Sequence, residues 1–400
     1  MISVQEAENI ILQQTINLHT EGVPLMQSLG RILAENLVAD RNFPPFDRVT
    51  MDGIAINFED FKKGLSTFWI TGIQAAGKPQ LTHGGEGTCL EVMTGAILPK
   101  GCDTVIRYED LTMENNRATL VIDTIVGQQN IHKKGVDREQ NEVIILRGVK
   151  MTAAEIATAA TLGKSTLQVV QLPKVAIIST GDELVEVHEM PLLHQIRRSN
   201  AYALAALLES EFKMPTQLYH FNDDQNTITD GLKNILNEFE VVILSGAVSE
   251  GKYDFVPQVL DHLEVKKLFH KVAQRPGKPF WFGTHPTGRV IFALPGNPVS
   301  TFLCACRYIV PFFRKNLGLA ETSFEKAVLS GKIVFKPDLT YFIPVKLQYT
   351  EGGVMEALPL AGQGSGDLAN LNDADGFLEL PQGRDVFEKG EAFRLIRYRK

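Results

Sequence analysis

The order of apolar and polar residues predicts helices in two separated segments of the N-terminal part of the chain. Ser3 and Glu6 stand three positions apart ahead of apolar residues, a capping-box pattern that predicts a helix start. A second helix is predicted over residues 24–37. Thr152 and Glu155 repeat the capping-box pattern, and Gly163 stands where their helix is expected to end. We expect these two segments to pack together as one discontinuous domain.

Between residues 52 and 146 the pattern changes to short apolar runs separated by glycines. The predicted strands cover residues 68–73, 88–94, 104–108 and 118–125. Such spacing is typical of a small all-β domain. Pro44 and Pro45 precede this region, and because paired prolines forbid a helix, they predict an extended crossing between domains.

From residue 174 onward, strands alternate with helices. The predicted strands cover residues 175–179, 217–221, 241–244 and 290–293, and the predicted helices cover residues 200–212, 225–239, 254–263 and 298–313. Continuous apolar strands between helices predict a doubly wound parallel sheet that is covered on both faces. After residue 319, predicted strands at 333–335, 341–348, 354–359, 376–380 and 392–398 indicate a small β-barrel.

The composition is that of an ordinary globular protein, with 44% hydrophobic and 22% charged residues. At roughly 100–200 residues per domain, the 400 residues predict two to four domains. The net charge of −7, from 40 basic and 47 acidic residues, argues against nucleic acids and anionic membranes as partners. No apolar run reaches the roughly 18–20 residues of a membrane-spanning helix, and no signal peptide is expected. We therefore expect a cytoplasmic, multidomain enzyme.

The loops after the predicted α/β strands have the composition of a ligand site. In an open parallel sheet, ligands bind beyond the carboxyl ends of the strands. Residues 245–251 are rich in serine and glycine, so that backbone N–H groups can approach a phosphate closely. Asn297 as N-cap residue and Pro298 at the first helical position predict an ordered helix N-terminus at the same edge.

Charged side chains at this edge complete the pattern. Oxygen ligands suited to Mg²⁺ with phosphate are expected from Asp182, Glu183, Asp223 and Asp254. Positive charge for an anion is expected from Lys271, Arg275 and Lys278. Each feature alone has a simpler explanation, since acidic loop residues are usually solvated and a Pro-Gly pair is usually a turn. Four converging loops favour a phosphorylated ligand held with a divalent cation.

Several other patterns are explained without chemistry. Gly163-Lys164-Ser165 looks like the end of a P-loop, but Thr158 stands where the first glycine is required. Cys304 and Cys306 are predicted to be buried packing residues on a helix. No GxGxxG follows a predicted strand, so a dinucleotide oxidoreductase lacks its glycine fingerprint. The histidines show no zinc-ligand spacing.

Five motifs in order resemble the molybdopterin molybdenumtransferase family, which includes bacterial MoeA and the E domain of gephyrin. They are Pro44-Pro45-Phe46-Asp47-Arg48-Val49-Thr50-Met51-Asp52-Gly53-Ile54-Ala55, Met93-Thr94-Gly95-Ala96, Ser179-Thr180-Gly181-Asp182-Glu183-Leu184, Arg275-Pro276-Gly277-Lys278-Pro279 and Leu294-Pro295-Gly296-Asn297-Pro298. The resemblance covers essentially the whole chain.

The resemblance implies a four-part subunit that forms a homodimer. Its parts are a discontinuous helical and linker domain (residues 1–46 and 141–172), an inserted β domain (47–140), a molybdopterin-binding α/β domain (173–320) and a C-terminal β-barrel (321–400). The implied reaction takes adenylylated molybdopterin and molybdate, hydrolyses the adenylate with Mg²⁺ or a similar divalent cation, and releases AMP and molybdenum cofactor. The active site is expected between the α/β domain of one subunit and the β domain of the other. Contacts with molybdopterin adenylyltransferase and molybdoenzymes are also implied.

Position by position, the resemblance and the loop chemistry give a set of expected site residues. Expected catalytic residues are Asp52, Glu183, Asp223, Asp254 and Lys271. The expected metal ligands are Glu183, Asp223 and Asp254. The expected substrate-binding residues are Thr94, Asp137, Ser245, Gly246, Ser249, Gly251, Arg275, Lys278, Pro295 and Asn297. Asp52 is expected to act from the partner subunit.

Simpler explanations exist for the three residues of the β domain. Asp52 could be a turn cap ahead of Gly53, Thr94 a hydroxyl at a strand end, and Asp137 an exposed loop charge. Both explanations stay open for each residue at this point.

The chain departs from the family pattern in the loop after the third α/β strand. The family usually has Ser-Gly-Gly-Val-Ser-Val-Gly, whereas Ala247, Glu250 and Lys252 occupy altered positions here. A Cβ at Ala247 opposes close backbone approach, and Glu250 adds negative charge beside a phosphate loop. His132 and Arg275 stand where the family usually has Arg and Lys. The leading hypothesis is therefore the enzyme, and the alternative is a catalytically weak paralogue that acts as a molybdopterin-binding or scaffold protein.

Overall fold

The computed structural model describes residues 1–246, 248, 255–320, 324–360 and 368–399. The chain forms two compact units, which we describe separately. The first unit comprises Met1–Glu35, Arg147–Ala157 and Ser165–Lys400, and the second comprises Asn36–Leu146 and Thr158–Lys164. Across the described ranges, no helix has both the length and the apolar character needed to cross a lipid bilayer.

The two capping boxes begin helices, as predicted. The first helix is Val4–Gln13, where the Ser3 hydroxyl accepts from the Glu6 N–H at 3.2 Å and the Glu6 carboxylate accepts from the Ser3 N–H at 2.7 Å. The second is Ala153–Thr161, where the Thr152 N–H donates to the Glu155 carboxylate at 2.8 Å. In both places the side chains satisfy N–H groups that have no partner within the helix.

The helix predicted over residues 24–37 is wrong. Thr20–Pro24 is a strand that pairs antiparallel with Thr166–Val170, and a short 3-10 turn follows over Leu25–Ser28. Gly30 then adopts a left-handed conformation with φ of +80°. Pairing with a distant segment supplies the backbone hydrogen bonds here, and this pairing overrides the helical spacing of the apolar residues.

The α/β part of the first unit contains a six-stranded sheet, whose strands we number in chain order. They are β1 (Val175–Thr180), β2 (Thr216–Phe221), β3 (Val241–Ser245), β4 (Lys266–His270), β5 (Trp281–Thr284) and β6 (Val290–Leu294), in the order β2-β1-β3-β6-β5-β4. β2, β1, β3 and β6 are parallel, which confirms the predicted doubly wound sheet. β5 and β4 add an antiparallel edge that the sequence pattern did not predict.

Helices cover both faces of this sheet. They are Asn200–Phe212, Gln225–Glu238, Val256–His262 and a last helix that runs from Pro298–Cys304 through a π turn at Ala305–Ile309 to Val310–Asn316. Val175 and Ile177 of β1 pack on one face, in the core that includes Ile11 of the first helix. Ala176 and Ile178 pack in the core on the other face. Strands buried on both sides explain the continuous apolar runs.

The first unit ends in the predicted β-barrel. Its strands are Lys326–Leu329, Thr340–Tyr349, Met355–Pro359, Gly376–Leu380 and Ala392–Arg397, and the pairing of Thr340–Tyr349 with both Met355–Pro359 and Gly376–Leu380 closes the ring. The short strand Gln274–Arg275, from the loop between β4 and β5, pairs parallel with Thr340–Tyr341 of the barrel. That loop therefore joins the α/β part to the barrel within one unit.

The second unit is built around a six-stranded sheet, which confirms the predicted small β domain. In spatial order the strands are Thr104–Arg107, Gly53–Ile56, Thr88–Val92, Thr67–Gln74, Arg117–Leu120 and Leu111–Glu114. Shorter strands pair Leu37–Val38 with Val143–Ile145 and Arg48–Val49 with Ile131–His132, and a short helix spans Phe58–Lys62. Ile54, Phe68 and Ile106 form its core.

Candidate functional site

A cavity of about 490 Å³ lies where the α/β part meets the barrel in the first unit. It is lined by residues 274–279 of the loop between β4 and β5, by Pro295, Asn297, Val299 and Ser300 after β6, and by Leu339, Tyr341, Phe342, Pro344, Leu360 and Leu371 of the barrel region. Its size falls in the range of small-molecule sites. Four of the expected substrate-binding residues, Arg275, Lys278, Pro295 and Asn297, line it together.

Two cationic side chains of this cavity are exposed and have no acidic partner in the part of the chain that the structure describes. Arg275 and Lys278 are exposed, and neither forms an ion pair with any residue in the described part of the chain. The Arg275 guanidinium carbon lies 5.9 Å from the centroid of the Phe335 ring. Uncompensated positive charge in a concave site attracts anions. The cavity is therefore suited to an anionic ligand.

Ser300 adds a hydroxyl that sequence reasoning missed. It lies in the first turn of the helix after β6, is 3% exposed and lines the cavity. Within the described residues its hydroxyl makes no hydrogen bond, so it keeps its donor for a ligand. The signal that could have found it is its position two residues after Pro298, in a helix N-terminus at the sheet edge.

Asn297 occupies the predicted N-cap position, but its side chain makes no capping hydrogen bond. Its carbonyl oxygen instead accepts from the Thr301 N–H at 2.9 Å, and the carbonyl oxygen of Pro295 accepts from the Thr301 hydroxyl at 2.5 Å. The turn at Pro295–Asn297 is therefore held by Thr301 and not by an Asn297 cap.

Asn200, which was not expected at the site, ties two loops of the sheet edge together. Its side-chain amide donates to the Ser245 hydroxyl at 2.8 Å and to the Gly296 carbonyl at 2.7 Å. Ser245 is 3% exposed at the end of β3. At Gly246, with φ of +108°, a Cβ would lie 2.9 Å from the Thr180 carbonyl oxygen, so only glycine fits there. The structure thus brings Ser245 and Gly246 next to the turn that follows β6.

The acidic residues of the predicted metal site follow the neighbouring strands β1 and β2. A carboxylate oxygen of Asp182 accepts from the Asp223 N–H at 3.1 Å, and Glu183 is exposed. The buried Thr180 hydroxyl beside them has no hydrogen-bond partner among the described residues. Hard oxygen donors at the carboxyl ends of strands fit Mg²⁺. In the ranges that the structure describes, no three acidic, histidine or cysteine side chains already form a metal cluster.

Part of the predicted phosphate and metal site lies outside the described residues. Ser249, Gly251 and Asp254 are among these positions, as are the altered positions Ala247, Glu250 and Lys252.

Lys271 stands at the start of the loop that leads to the cavity. Its backbone is left-handed, with φ of +71°, and its N–H donates to the Phe280 carbonyl at 2.9 Å. The described lining of the cavity begins at Gln274 and does not include Lys271. The next residue, Val272, donates its N–H to the Lys278 carbonyl at 3.0 Å, so the loop folds back on itself at its base.

In the second unit, two hydrogen bonds link Asp52 and Thr94. One carboxylate oxygen of Asp52 accepts from the Thr94 N–H at 2.6 Å and from the Thr94 hydroxyl at 2.7 Å. The backbone hydrogen bond and then the hydroxyl hold the pKa of Asp52 below its usual value. Asp137 contacts the His132 imidazole at 2.8 Å. The Thr94 hydroxyl thus orients Asp52.

The two helical cysteines are inert packing residues, as predicted. Cys304 and Cys306 are both buried, and burial raises the pKa of Cys304 to about 12. A thiol that stays protonated is a poor nucleophile. They contribute volume to the core and not chemistry to the site.

Three family profiles match successive parts of the chain. Residues 2–163 match the "MoeA N-terminal region (domain I and II)", residues 176–315 a "probable molybdopterin binding domain", and residues 326–397 the "MoeA C-terminal region (domain IV)". The order agrees with the sequence motifs from which the family was predicted.

Individual proteins and structures agree with the profiles. A molybdopterin molybdenumtransferase of Synechocystis is 40% identical over 395 residues, which are 98% of this chain and 99% of that protein. One of Bacillus subtilis is 30% identical over 410 residues, which are 100% of this chain and 94% of that protein. The crystal structure of the molybdopterin biosynthesis protein MoeA from Pyrococcus horikoshii has a TM-score of 0.84 at 28% identity and covers 99% of both chains. The predicted family is confirmed, and the chain belongs to the MoeA family.

Proposed function

We propose that this protein inserts molybdate into adenylylated molybdopterin, with divalent-metal-dependent hydrolysis of the adenylate, and so releases AMP and molybdenum cofactor. Its relatives in Synechocystis and Bacillus subtilis bear the name molybdopterin molybdenumtransferase. The observation that carries the proposal is the cavity with Arg275 and Lys278, because two cations without an ion-pair partner among the described residues suit a doubly charged oxyanion.

Each group of side chains has a proposed task. Arg275 and Lys278 neutralise the oxyanion, and Ser300 donates a hydrogen bond to it. Ser245 and Gly246 begin the loop proposed to hold the phosphates, and this loop continues through Ser249 and Gly251. Asn297 and Pro295 shape the other wall of the oxyanion site, and Lys271 is proposed to act on the phosphates from the start of its loop.

Glu183, Asp223 and Asp254 are the proposed ligands of Mg²⁺ or a similar divalent cation. When bound, the cation would supply positive charge that offsets the phosphates during hydrolysis. Asp52 is proposed to act as a carboxylate base, held ionised by the hydrogen bonds from Thr94, and Asp137 to bind substrate from the same β domain. These roles predict that the acidic residues affect AMP release more than oxyanion binding.

The test is cofactor synthesis with purified protein, adenylylated molybdopterin, molybdate and Mg²⁺. The proposal expects AMP release together with activation of an apo-molybdoenzyme. Removal of divalent ions with EDTA should stop AMP release, and added Mg²⁺ should restore it. Binding of the adenylate without AMP release would instead support the alternative, a catalytically weak molybdopterin-binding or scaffold protein.

The proposal includes a homodimer, which light scattering of the purified protein tests. Mixing an Asp52→Ala variant with a Lys278→Ala variant should restore part of the activity if the two residues act from different subunits. If the mixture exchanges subunits but regains no activity, Asp52 and Lys278 act within the same subunit. Contacts with molybdopterin adenylyltransferase and with molybdoenzymes are also proposed, and pull-down with those proteins tests them.

A further inference from the structure

Gln274 is a polar side chain without solvent contact in the wall of the cavity. It is 0% exposed. Its Oε1 accepts from the Tyr308 hydroxyl at 2.5 Å, while its Nε2 donates to the carbonyl oxygens of Pro276 at 3.1 Å and Gly277 at 3.3 Å. One amide thus bridges the helix after β6 and the loop that carries Arg275 and Lys278.

The orientation of this amide is fixed by its partners. Backbone carbonyls only accept hydrogen bonds, so the NH₂ group must face Pro276 and Gly277, and the amide oxygen must face Tyr308. Tyr308 is 1% exposed, and burial raises its pKa well above the usual value. Its hydroxyl therefore stays protonated and able to donate. A buried amide or hydroxyl without its partner is costly, so the pair holds together.

The pair sets which way the peptide groups of the loop point. In a trans peptide the C=O and N–H groups point in opposite directions. Because the carbonyls of Pro276 and Gly277 face Gln274, the N–H groups of Gly277 and Lys278 face away from it. Neither N–H donates to any residue that the structure describes. Two adjacent free N–H groups beside two cations are suited to an oxyanion.

The loop also packs tightly against Gln274. Gly277 has a φ of +91°, and a Cβ there would lie 2.5 Å from Gln274 Nε2 and 2.8 Å from Cys304 Sγ. Little space remains for the loop to change its conformation while Gln274 stays in place. The Gln274 amide therefore holds the turn in one conformation.

We propose that Gln274 and Tyr308 form a positioning pair that sets the oxyanion affinity of the loop 275–278. Both side chains are uncharged, and they act on the ligand through the loop. It keeps the Gly277 and Lys278 N–H groups turned outward and the Arg275 and Lys278 side chains on the cavity wall. The inference rests on the proposed function for the identity of the oxyanion, molybdate, and names two residues outside the set expected from sequence.

The test compares Tyr308→Phe and Gln274→Met with wild type in direct binding of molybdate alone, measured by calorimetry. Tyr308→Phe should bind molybdate about tenfold more weakly, the loss expected for one buried hydrogen bond near the upper end of its usual range. Gln274→Met also removes both bonds to the loop carbonyls, so its loss should be at least as large. In turnover, KM for molybdate should rise by a similar factor while kcat and KM for the adenylate stay within about twofold. Tyr219→Phe is the control, since Tyr219 lies on β2 and packs on Phe239.

The double variant separates a coupled pair from two independent effects. Because each single change breaks the same hydrogen bond, Tyr308→Phe combined with Gln274→Met should weaken molybdate binding no more than the worse single variant. Wild-type affinity in a folded Tyr308→Phe protein would overturn the inference, and so would a loss confined to kcat. Absence of oxyanion binding by wild type would also overturn it. If wild type binds molybdate but releases no AMP, the proposed function fails and the binding comparison still decides this inference.

Discussion

Arg307 and Glu8, 299 positions apart in the chain, form an ion pair in the interior of the first unit, with 2.7 Å between Nη1 and Oε1. Arg307 is 1% exposed in its side chain and also pairs with Glu379 of the barrel at 2.9 Å. Arg394 of the barrel contacts Glu8 at 3.2 Å. The first helix, the helix after β6 and the barrel are therefore joined by one buried charge cluster.

Glu8→Gln should strongly destabilise the first unit. The change leaves Arg307 buried with one fewer counter-charge, and removing one partner of a buried pair typically costs about 3–5 kcal/mol in the free energy of unfolding. Urea denaturation followed by fluorescence measures it. The matched control is Glu388→Gln, which removes an exposed pair with Lys332 and should cost less than about 1 kcal/mol. Equal losses in the two variants would contradict a buried role for Glu8.

The environment of Glu8 also predicts that the protein loses stability at acidic pH. Burial raises the pKa of Glu8, but the hydrogen bond and charge of Arg307, with those of Arg394, outweigh burial and leave the pKa below its usual value. A lowered folded-state pKa contributes stability above the unfolded value of about 4.3, and that stability is lost as the pH falls through the folded value. The free energy of unfolding of wild type should therefore fall more steeply below pH 4 than that of Glu8→Gln. Parallel pH profiles would show that Glu8 is not the titrating group.

Much of the fold was predictable because its signals are local. The capping boxes at Ser3 and Thr152 and the continuous apolar strands β1, β3 and β6 each depend on neighbours within a few positions. The helix predicted over residues 24–37 failed because the backbone hydrogen bonds of that segment go to distant residues, as from the Gly30 N–H to the Met151 carbonyl and from the Leu33 N–H to the Val149 carbonyl. No local pattern reports such a pairing, since it depends on where a distant segment lies.

The candidate site was predictable to the extent that its residues stand in motifs. Asn297 was found because it follows a predicted strand, and Arg275 and Lys278 because they stand in a basic motif that resembles the family's. Gln274 and Tyr308 were not found, since their bond spans 34 positions and neither residue is charged. Asn200 bridges 45 positions to Ser245 in the same way. Such supporting residues are recognised from the distances between side chains, and those distances are known only when the fold is known.

Lys278→Ala and Arg275→Ala should each weaken molybdate binding about tenfold or more, because each removes a cation that has no acidic partner in the described chain. The loss should shrink as salt is added, since salt screens exposed charges. Calorimetry at two ionic strengths measures both effects. Lys267→Ala on β4 removes an equal charge away from the cavity and serves as control. If Lys267→Ala and Lys278→Ala weaken molybdate binding equally, the anion responds to the overall charge of the protein and not to a specific site.

Thr94→Val should raise the pKa of Asp52. The substitution keeps the Thr94 N–H but removes the hydroxyl, which is one of the two donors that lower this pKa. The acid limb of the pH profile of AMP release should therefore move to higher pH, whereas Thr94→Ser should leave it in place. Carbon NMR of protein labelled at aspartate reads the Asp52 titration independently of activity, with Asp52→Asn to assign the signal. If Asp52 titrates at the same pH in Thr94→Val and in wild type, the Thr94 hydroxyl is not a cause of the lowered Asp52 pKa.

Ser300→Ala should raise KM for molybdate with little change in KM for the adenylate. Ser300 is buried in the cavity wall, and its hydroxyl makes no hydrogen bond with any described residue, so its removal leaves no other group unpaired. The expected loss is about 5- to 20-fold, the range for a hydrogen bond to a charged group that is partly replaced by water. Ser330→Ala, in the barrel and away from the cavity lining, controls for loss of a serine hydroxyl. If Ser300→Ala changes thermal stability by several degrees while leaving both KM values at wild-type levels, its hydroxyl belongs to the scaffold and the oxyanion is held by Arg275, Lys278 and the loop N–H groups alone.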